Sequence, residues 1–152
     1  MMTAPHHELA RDHVARLIDV CHDGERLYDL ASKGVSEPML RAELAQYSAQ
    51  RREFIEELHE AVQQVGEDLV EVPLPVPPES DALRRAMVDH DRSVLLAECE
   101  RGEAAAVEAY RLAISAGLPY AVGGVVHTQF LAITRVQHRL HSLADAAREA
   151  AR

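Results

Sequence analysis

The chain lacks the features that mark membrane-spanning and secreted proteins. Its longest apolar run, Leu118 to Val126, is about half the roughly 18 residues that a membrane helix needs. The start of the chain, MMTAPHHELARDH, has no apolar stretch of the kind found in signal peptides. Two cysteines are too few for a disulfide scaffold. These absences predict a cytoplasmic protein that does not enter a membrane.

Familiar catalytic motifs are also missing. The sequence has no glycine-rich phosphate loop, no Cys-x-x-Cys pair and no hydrolase motif, so nothing supports a conventional catalytic triad. The formal net charge is −9, and an acidic chain repels phosphate backbones, so we expect no binding to nucleic acids. Hydrophobic residues make up 47% of the 152 residues, which is enough for a single domain, residues 1–152, to form a core.

Strand signals are nearly absent, and apolar residues recur at helical spacing. Glycines and prolines divide the chain into four long helical segments and one short one. In chain order we predict α1 from Pro5 to about Lys33, α2 from Pro38 to about Val65, α3 from Asp81 to about Asp89, α4 from about Asp91 to Ser115, and α5 from Pro119 towards Ala150.

Residues 67–80 are predicted to form a long crossover between α2 and α4. The segment Val72 to Pro78 is too rich in proline to be helical and should be extended. At about 3.1 Å per residue the crossover can span roughly 40 Å, which is about the length of α2. The predicted fold is therefore all-α: a ferritin-like antiparallel four-helix bundle in which α2 and α4 run parallel. An ordinary up-down bundle is the alternative.

A short pattern occurs twice, once in α1 and once in α4. Cys21-His-Asp-Gly24-Glu25 recurs as Cys99-Glu-Arg-Gly102-Glu103. Helical spacing puts each glutamate on the apolar face of its helix. The repeat indicates a pseudo-twofold relation between the two hairpins. Because buried carboxylates are costly, it also predicts either a metal site or a polar layer in the core.

Three segments of the chain carry a family resemblance. LIDVCHDGERLYDLA, LAQYSAQRREFIEELHEAV and LLAECERGEAAAVEAYRLAI resemble an uncharacterised bacterial family of ferritin-like four-helix-bundle proteins, known as a domain of unknown function. The resemblance covers about Leu9 to Leu143. It implies the fold and a small, stress-associated protein, and it supplies no settled activity.

One hypothesis for the repeated glutamates is a carboxylate-bridged dimetal centre. Ferritin-like di-iron proteins take a glutamate from each of two helices and Glu-x-x-His from the other two. Such a centre would hold iron or manganese and would support an oxidase or iron-handling activity. The candidate ligands, whose order is similar to a ferritin ferroxidase series, are Glu25, Glu56, His59, Glu103 and Gln137.

Helical counting favours a different arrangement. Glu56 falls opposite the apolar stripe of α2 and about two turns too deep, whereas Gln50 and Gln129 fall near the level of the glutamates. The residue that α2 supplies at this level stays open between Gln50, Glu53, Glu56 and Glu57. The counting predicts a hydrogen-bonded core layer that can fix helix register. Its members are Glu25, Gln50, Glu103 and Gln129, with Tyr28 and Tyr110 as neighbours.

The favoured functional prediction is a non-catalytic bundle that acts through a protein partner or by self-association, with a homo-oligomer expected. No catalytic residue is assigned, and no cofactor is expected unless the dimetal hypothesis holds. The charged positions of α2, Arg51 to Glu53 with Glu56 and Glu57, are predicted to form an ordinary solvent-exposed face with local ion pairs.

Overall fold

The computed structural model describes residues 5–66, 76 and 78–152, with side chains from residue 10 onwards. Every regular element in these residues is an α-helix. The bounds lie within a few residues of the predicted ones because the glycines, prolines and capping side chains that end each helix are local signals. The helices are α1 Pro5–Gly34, α2 Pro38–Gln64, α3 Asp81–Asp89, α4 Arg92–Ser115 and α5 Tyr120–Ala150.

Capping side chains and residues in the left-handed backbone conformation set the helix ends. The Ser80 hydroxyl accepts a hydrogen bond from the backbone N–H of Leu83 at 3.1 Å, and the Asp91 carboxylate accepts one from Val94 at 3.2 Å. Each cap of this kind stabilises a helix by roughly 1 kcal/mol. Gly117 follows α4 with φ +75°, a conformation that glycine adopts without a steric penalty.

The four long helices pack in a ring. Helix α1 contacts α2 and α4, and α5 contacts α4 and α2, whereas α3 packs on α1 and α4. Contacts between Cys21 and Tyr110 and between Tyr28 and Glu103 show that α1 and α4 are antiparallel, since positions that advance along α1 recede along α4. The short turn after Gly34 makes α2 antiparallel to α1 as well.

Helices α2 and α4 therefore point in the same direction. The predicted crossover that joins them lies mostly outside the described residues, because 67–75 and 77 are not described. None of the described helices combines the length and the apolar character needed to cross a bilayer.

The apolar core has two parts that meet near the middle of the bundle. One part includes Leu17, Leu58 and Ile133, and the other includes Leu44 and Leu140, all with no exposed surface. Burial of one such side chain stabilises the fold by roughly 1.5–3 kcal/mol. The first part ends on α1 at Cys21 and the second begins at Tyr28. Between them lies a group of buried polar side chains.

Candidate functional site

The two glutamates of the repeat have different environments. Glu103 in α4 is 2% exposed, whereas the Glu25 side chain in α1 is 24% exposed and accepts a hydrogen bond from Arg52 Nε at 2.8 Å. The structure thus places Glu25 at the edge of the bundle and not in a layer with Glu103. The physical reason is that exposed Arg52 lies close enough to pair with Glu25, so this carboxylate is paired and stays partly hydrated.

Glu103 is held by an arginine that crosses the core from α2. Arg51 Nη1 donates to Glu103 Oε1 at 2.8 Å, and Arg51 Nη2 donates to Oε2 at 2.6 Å. The Tyr28 hydroxyl of α1 donates to the same Oε2. Both carboxylate oxygens are therefore engaged, and side chains of three helices meet at one charge pair. We call Arg51, Glu103 and Tyr28 the central triad.

The prediction that Arg51 lies on an exposed face is wrong. Its side chain is 1% exposed, while Arg52, Glu53, Glu56 and Glu57 are exposed as predicted. The spacing contained the missing signal, because Arg51 follows Tyr47 by four residues and precedes Phe54 by three. Those intervals place Arg51 on the apolar stripe of α2. Its charge alone does not make the side chain solvent-exposed.

Burial makes each member of the central triad depend on the others. Burial alone would lower the pKa of Arg51, but the Glu103 carboxylate and its hydrogen bonds outweigh burial and raise that pKa above its usual value. The guanidinium carbon also lies 5.4 Å from the ring centre of Tyr28 and 5.9 Å from that of Phe54, within cation–π range. Burial and then the Glu103 charge raise the pKa of Tyr28, so the phenol stays protonated and donates.

A second polar group lies one to two turns away along the same three helices and also includes a residue of α5. The Tyr110 hydroxyl donates to Gln129 Oε1 at 2.7 Å and lies 3.3 Å from Cys21 Sγ. Gln129, 1% exposed, donates through Nε2 to the Phe54 carbonyl at 3.2 Å and to Glu57 at 3.0 Å. The amide is thus satisfied on both of its atoms, as a buried amide must be.

The predicted polar layer is therefore distributed over separate groups. The structure brings Tyr28 and Glu103 together, and half-buried Gln50 joins them by accepting from Arg51 Nε at 3.3 Å. Tyr110 and Gln129 form the second group.

The proposed dimetal ligands are not brought together in the described part of the chain. Glu56 is exposed, His59 and Gln137 are half-buried, and Glu103 is paired with a cation. No group of three or more histidine, cysteine, aspartate or glutamate side chains within those residues has a spacing that would hold a metal ion. The donor set does not fit a dimetal centre in this arrangement, and the dimetal hypothesis stays a prediction for metal analysis to test.

The two cysteines of the repeat are buried and free. Burial raises the pKa of the Cys21 thiol to about 11, although the hydrogen bond to Tyr110 acts in the opposite direction. Burial and then the Glu103 charge raise the pKa of Cys99 to about 12. Because the thiolate is the reactive form, both thiols are poor nucleophiles at neutral pH.

The two glycines of the repeat border a cleft between α1 and α4. A Cβ at Gly24 would stand 3.3 Å from Arg51 Cγ, and one at Gly102 would stand 2.9 Å from Leu27 Cδ2. The cleft has a volume of about 120 Å³, and its lining includes the central triad and Cys99. The repeated glycine therefore leaves room for a side chain to cross the core at one site and for close helix packing at the other.

Comparison with known families identifies the amino-terminal part of the chain. Residues 10–72 match the family described as Domain of unknown function (DUF2383). The DUF2383 match includes most of α1, all of α2, and two members of the central triad, Tyr28 and Arg51; Glu103 lies beyond it. No curated protein matches the chain. The match supports the predicted relation to an uncharacterised family over this part of the chain and assigns no activity.

Proposed function

We propose that this chain is a ferritin-like four-helix bundle that acts without catalysis, through a protein partner or a second copy of itself. The observation that carries the proposal is the pairing of Glu103 with Arg51 and Tyr28. In this proposal the buried carboxylate serves the arrangement of the helices, and the function belongs to the outer surface of the bundle.

The chemistry of the central triad supports a structural role. A carboxylate that binds a metal needs an accessible oxygen, and both oxygens of Glu103 accept hydrogen bonds from buried donors. A guanidinium in contact with a carboxylate also repels a second cation at that position. A bidentate pair constrains geometry as well as charge, so the triad favours one relative placement of α1, α2 and α4.

The ferritin-like assignment has support from chain direction. Helices α2 and α4 point the same way, and ferritin-like bundles have one long crossover between two parallel helices. The short turns after α1 and after α4 suit the two hairpins of that topology. The bacterial origin, the cytoplasmic location and the association with stress remain predictions from the sequence.

Self-association is one of the two partner hypotheses, and exposed apolar side chains support it. Large apolar side chains are exposed at both ends of the bundle, with Tyr120 98%, Met39 88% and Val88 79% exposed. A partner that covers these side chains would remove apolar surface from water, which is favourable. Sedimentation analysis of the full chain is expected to show a reversible dimer or larger oligomer, and a strict monomer at high concentration would leave only a different protein as the partner.

Metal analysis separates this proposal from the dimetal alternative. The protein is purified without chelator, and iron, manganese and zinc are measured by mass spectrometry in the wild type, Glu103→Gln and Glu25→Gln. We expect substoichiometric metal in all three and a melting temperature that added iron does not change. Near-stoichiometric metal that disappears in Glu103→Gln would contradict the proposal and support a metal-binding function.

A further inference from the structure

The cleft between α1 and α4 extends from the surface to the central triad. Exposed Asp23 and Ala105 line its outer end, and buried Cys99 and Ala106 line its inner end together with the triad. Its volume of about 120 Å³ is close to that of an engineered apolar cavity of roughly 150 Å³ that binds benzene. The cleft is thus large enough for one ring-sized molecule.

The charges that line the cleft balance each other. Arg51 and Glu103 form an ion pair at its inner end, and Arg16 and Asp23 contribute one cation and one anion at the outer end. A charged ligand would lose its hydration, and the repulsion from the lining charge of the same sign would offset the attraction to the lining charge of opposite sign. The lining therefore suits a neutral ligand whose surface is mostly apolar.

Arg51 provides a donor for such a ligand. A guanidinium has five N–H groups, and Glu103 and Gln50 accept three of those of Arg51. Nη1 and Nη2 therefore each keep one further N–H, and Nη1 lies on the side of Gly24, where a Cβ would stand 3.8 Å away. A carbonyl oxygen at that position would accept a hydrogen bond from a side chain that is already buried and fixed.

From the volume, the charge balance and this donor, we infer that the α1–α4 cleft binds a small neutral ring-sized molecule whose carbonyl oxygen accepts a hydrogen bond from Arg51. Glycine at position 24 keeps the approach to Nη1 open, because a Cβ there would stand 3.8 Å from that nitrogen. This binding site is independent of the partner surface in the proposed function, and it involves no covalent step.

The test uses the full chain and three probes of similar size: cyclohexanone, benzene and benzoate. Binding is followed by two-dimensional amide NMR. We expect saturable shifts at the amides of Gly24, Leu27 and Gly102 with cyclohexanone, at least tenfold weaker binding of benzene, and no saturable shifts with benzoate. The order follows from the N–H donor on Arg51 Nη1 and from the balanced charge of the lining.

Two alanine variants of α4 control for the location of binding. Ala105 is exposed and lines the outer end of the cleft, whereas its neighbour Ala104 is exposed and does not line it. Ala105→Leu should therefore block the cleft without disturbing the core, weakening cyclohexanone binding at least tenfold, and Ala104→Leu should bind as the wild type does.

Three results would overturn the inference: no saturable shifts with cyclohexanone, equal binding to wild type and Ala105→Leu, or benzoate binding as tightly as cyclohexanone. Circular dichroism of both leucine variants checks that they fold. Should Ala105→Leu fail to fold, Ala105→Met provides the same block with a more flexible side chain.

Discussion

Arg51 and Glu103 lie on helices that are not neighbours in the ring, and their side chains meet inside the bundle. The Nη2–Oε2 distance is 2.6 Å, with the two side chains 1% and 0% exposed. Helices α2 and α4 have no close backbone approach in the described part of the chain. This pair is therefore a direct polar link between the two helices, and it lies where the two apolar parts of the core meet.

Adjacent arginines of α2 provide a matched test of that link. Arg51→Met leaves the Glu103 carboxylate buried without its cation, so we expect the free energy of unfolding to fall by roughly 3–5 kcal/mol. Arg52→Met removes the partner of Glu25 at the surface, where water replaces it, so the free energy of unfolding should hardly change. Urea denaturation of both variants measures the difference. Equal losses of free energy of unfolding in the two variants would mean that the buried pair contributes no more to stability than the exposed pair.

The sequence predicted the helices because their signals are local. Prolines, glycines and capping residues lie at the ends, and apolar residues repeat at helical spacing between them. Ser80 and Asp91 accept capping hydrogen bonds in the structure. Such signals do not depend on distant residues, so a single sequence contains them.

The polar contacts of the core were predicted less well because they depend on distances between helices. Both repeated glutamates fall on apolar faces by counting, and nothing in the sequence indicates that Arg51 reaches Glu103 while Arg52 reaches Glu25. At Arg51 the charge predicts exposure and the spacing predicts burial, and the structure follows the spacing. Gln129 was correctly placed on the buried face, since its position follows from the period of α5 alone.

The buried thiols should be unreactive in the folded protein. Burial raises the pKa of Cys21 to about 11, so at a pH of about 8 nearly all of this thiol is protonated, whereas an ordinary thiol with a pKa of about 8.5 is partly ionised. We expect an aromatic disulfide reagent to label neither cysteine within minutes, and to label both at once in denaturant. Rapid labelling of the folded protein would contradict the burial of both side chains.

The ion pair between α2 and α5 predicts a measurable acid dependence of stability. The hydrogen bond from Arg139 lowers the pKa of Glu43, burial opposes it, and the Tyr47 hydroxyl adds to the lowering. A lowered pKa stabilises the fold above the unfolded value of about 4.3, and the stabilisation is lost as the pH falls through the folded value. Because Arg139 is half exposed, the effect is at most about 1 kcal/mol.

Glu43→Gln is the variant that tests this dependence. The difference in melting temperature between the wild type and Glu43→Gln should be largest near neutral pH and should shrink as the pH falls below about 4. A difference that grows on acidification, or one that stays constant from neutral to acid pH, would show that Glu43 does not gain its stability from the charged form.

A double-mutant cycle on Arg51 and Glu103 tests the central claim most directly. Arg51→Met, Glu103→Leu and the double variant are unfolded in urea, and the same cycle on Arg52 and Glu25 is the control. We expect the double variant in the core to lose at least about 2 kcal/mol less free energy of unfolding than the two single variants lose in sum. Each single variant leaves one buried charge without its partner, whereas the double variant replaces both charges with apolar side chains. The control cycle should show almost no coupling. Losses in the core that add to within about 0.5 kcal/mol would contradict the account, because Glu103 would then not depend on Arg51.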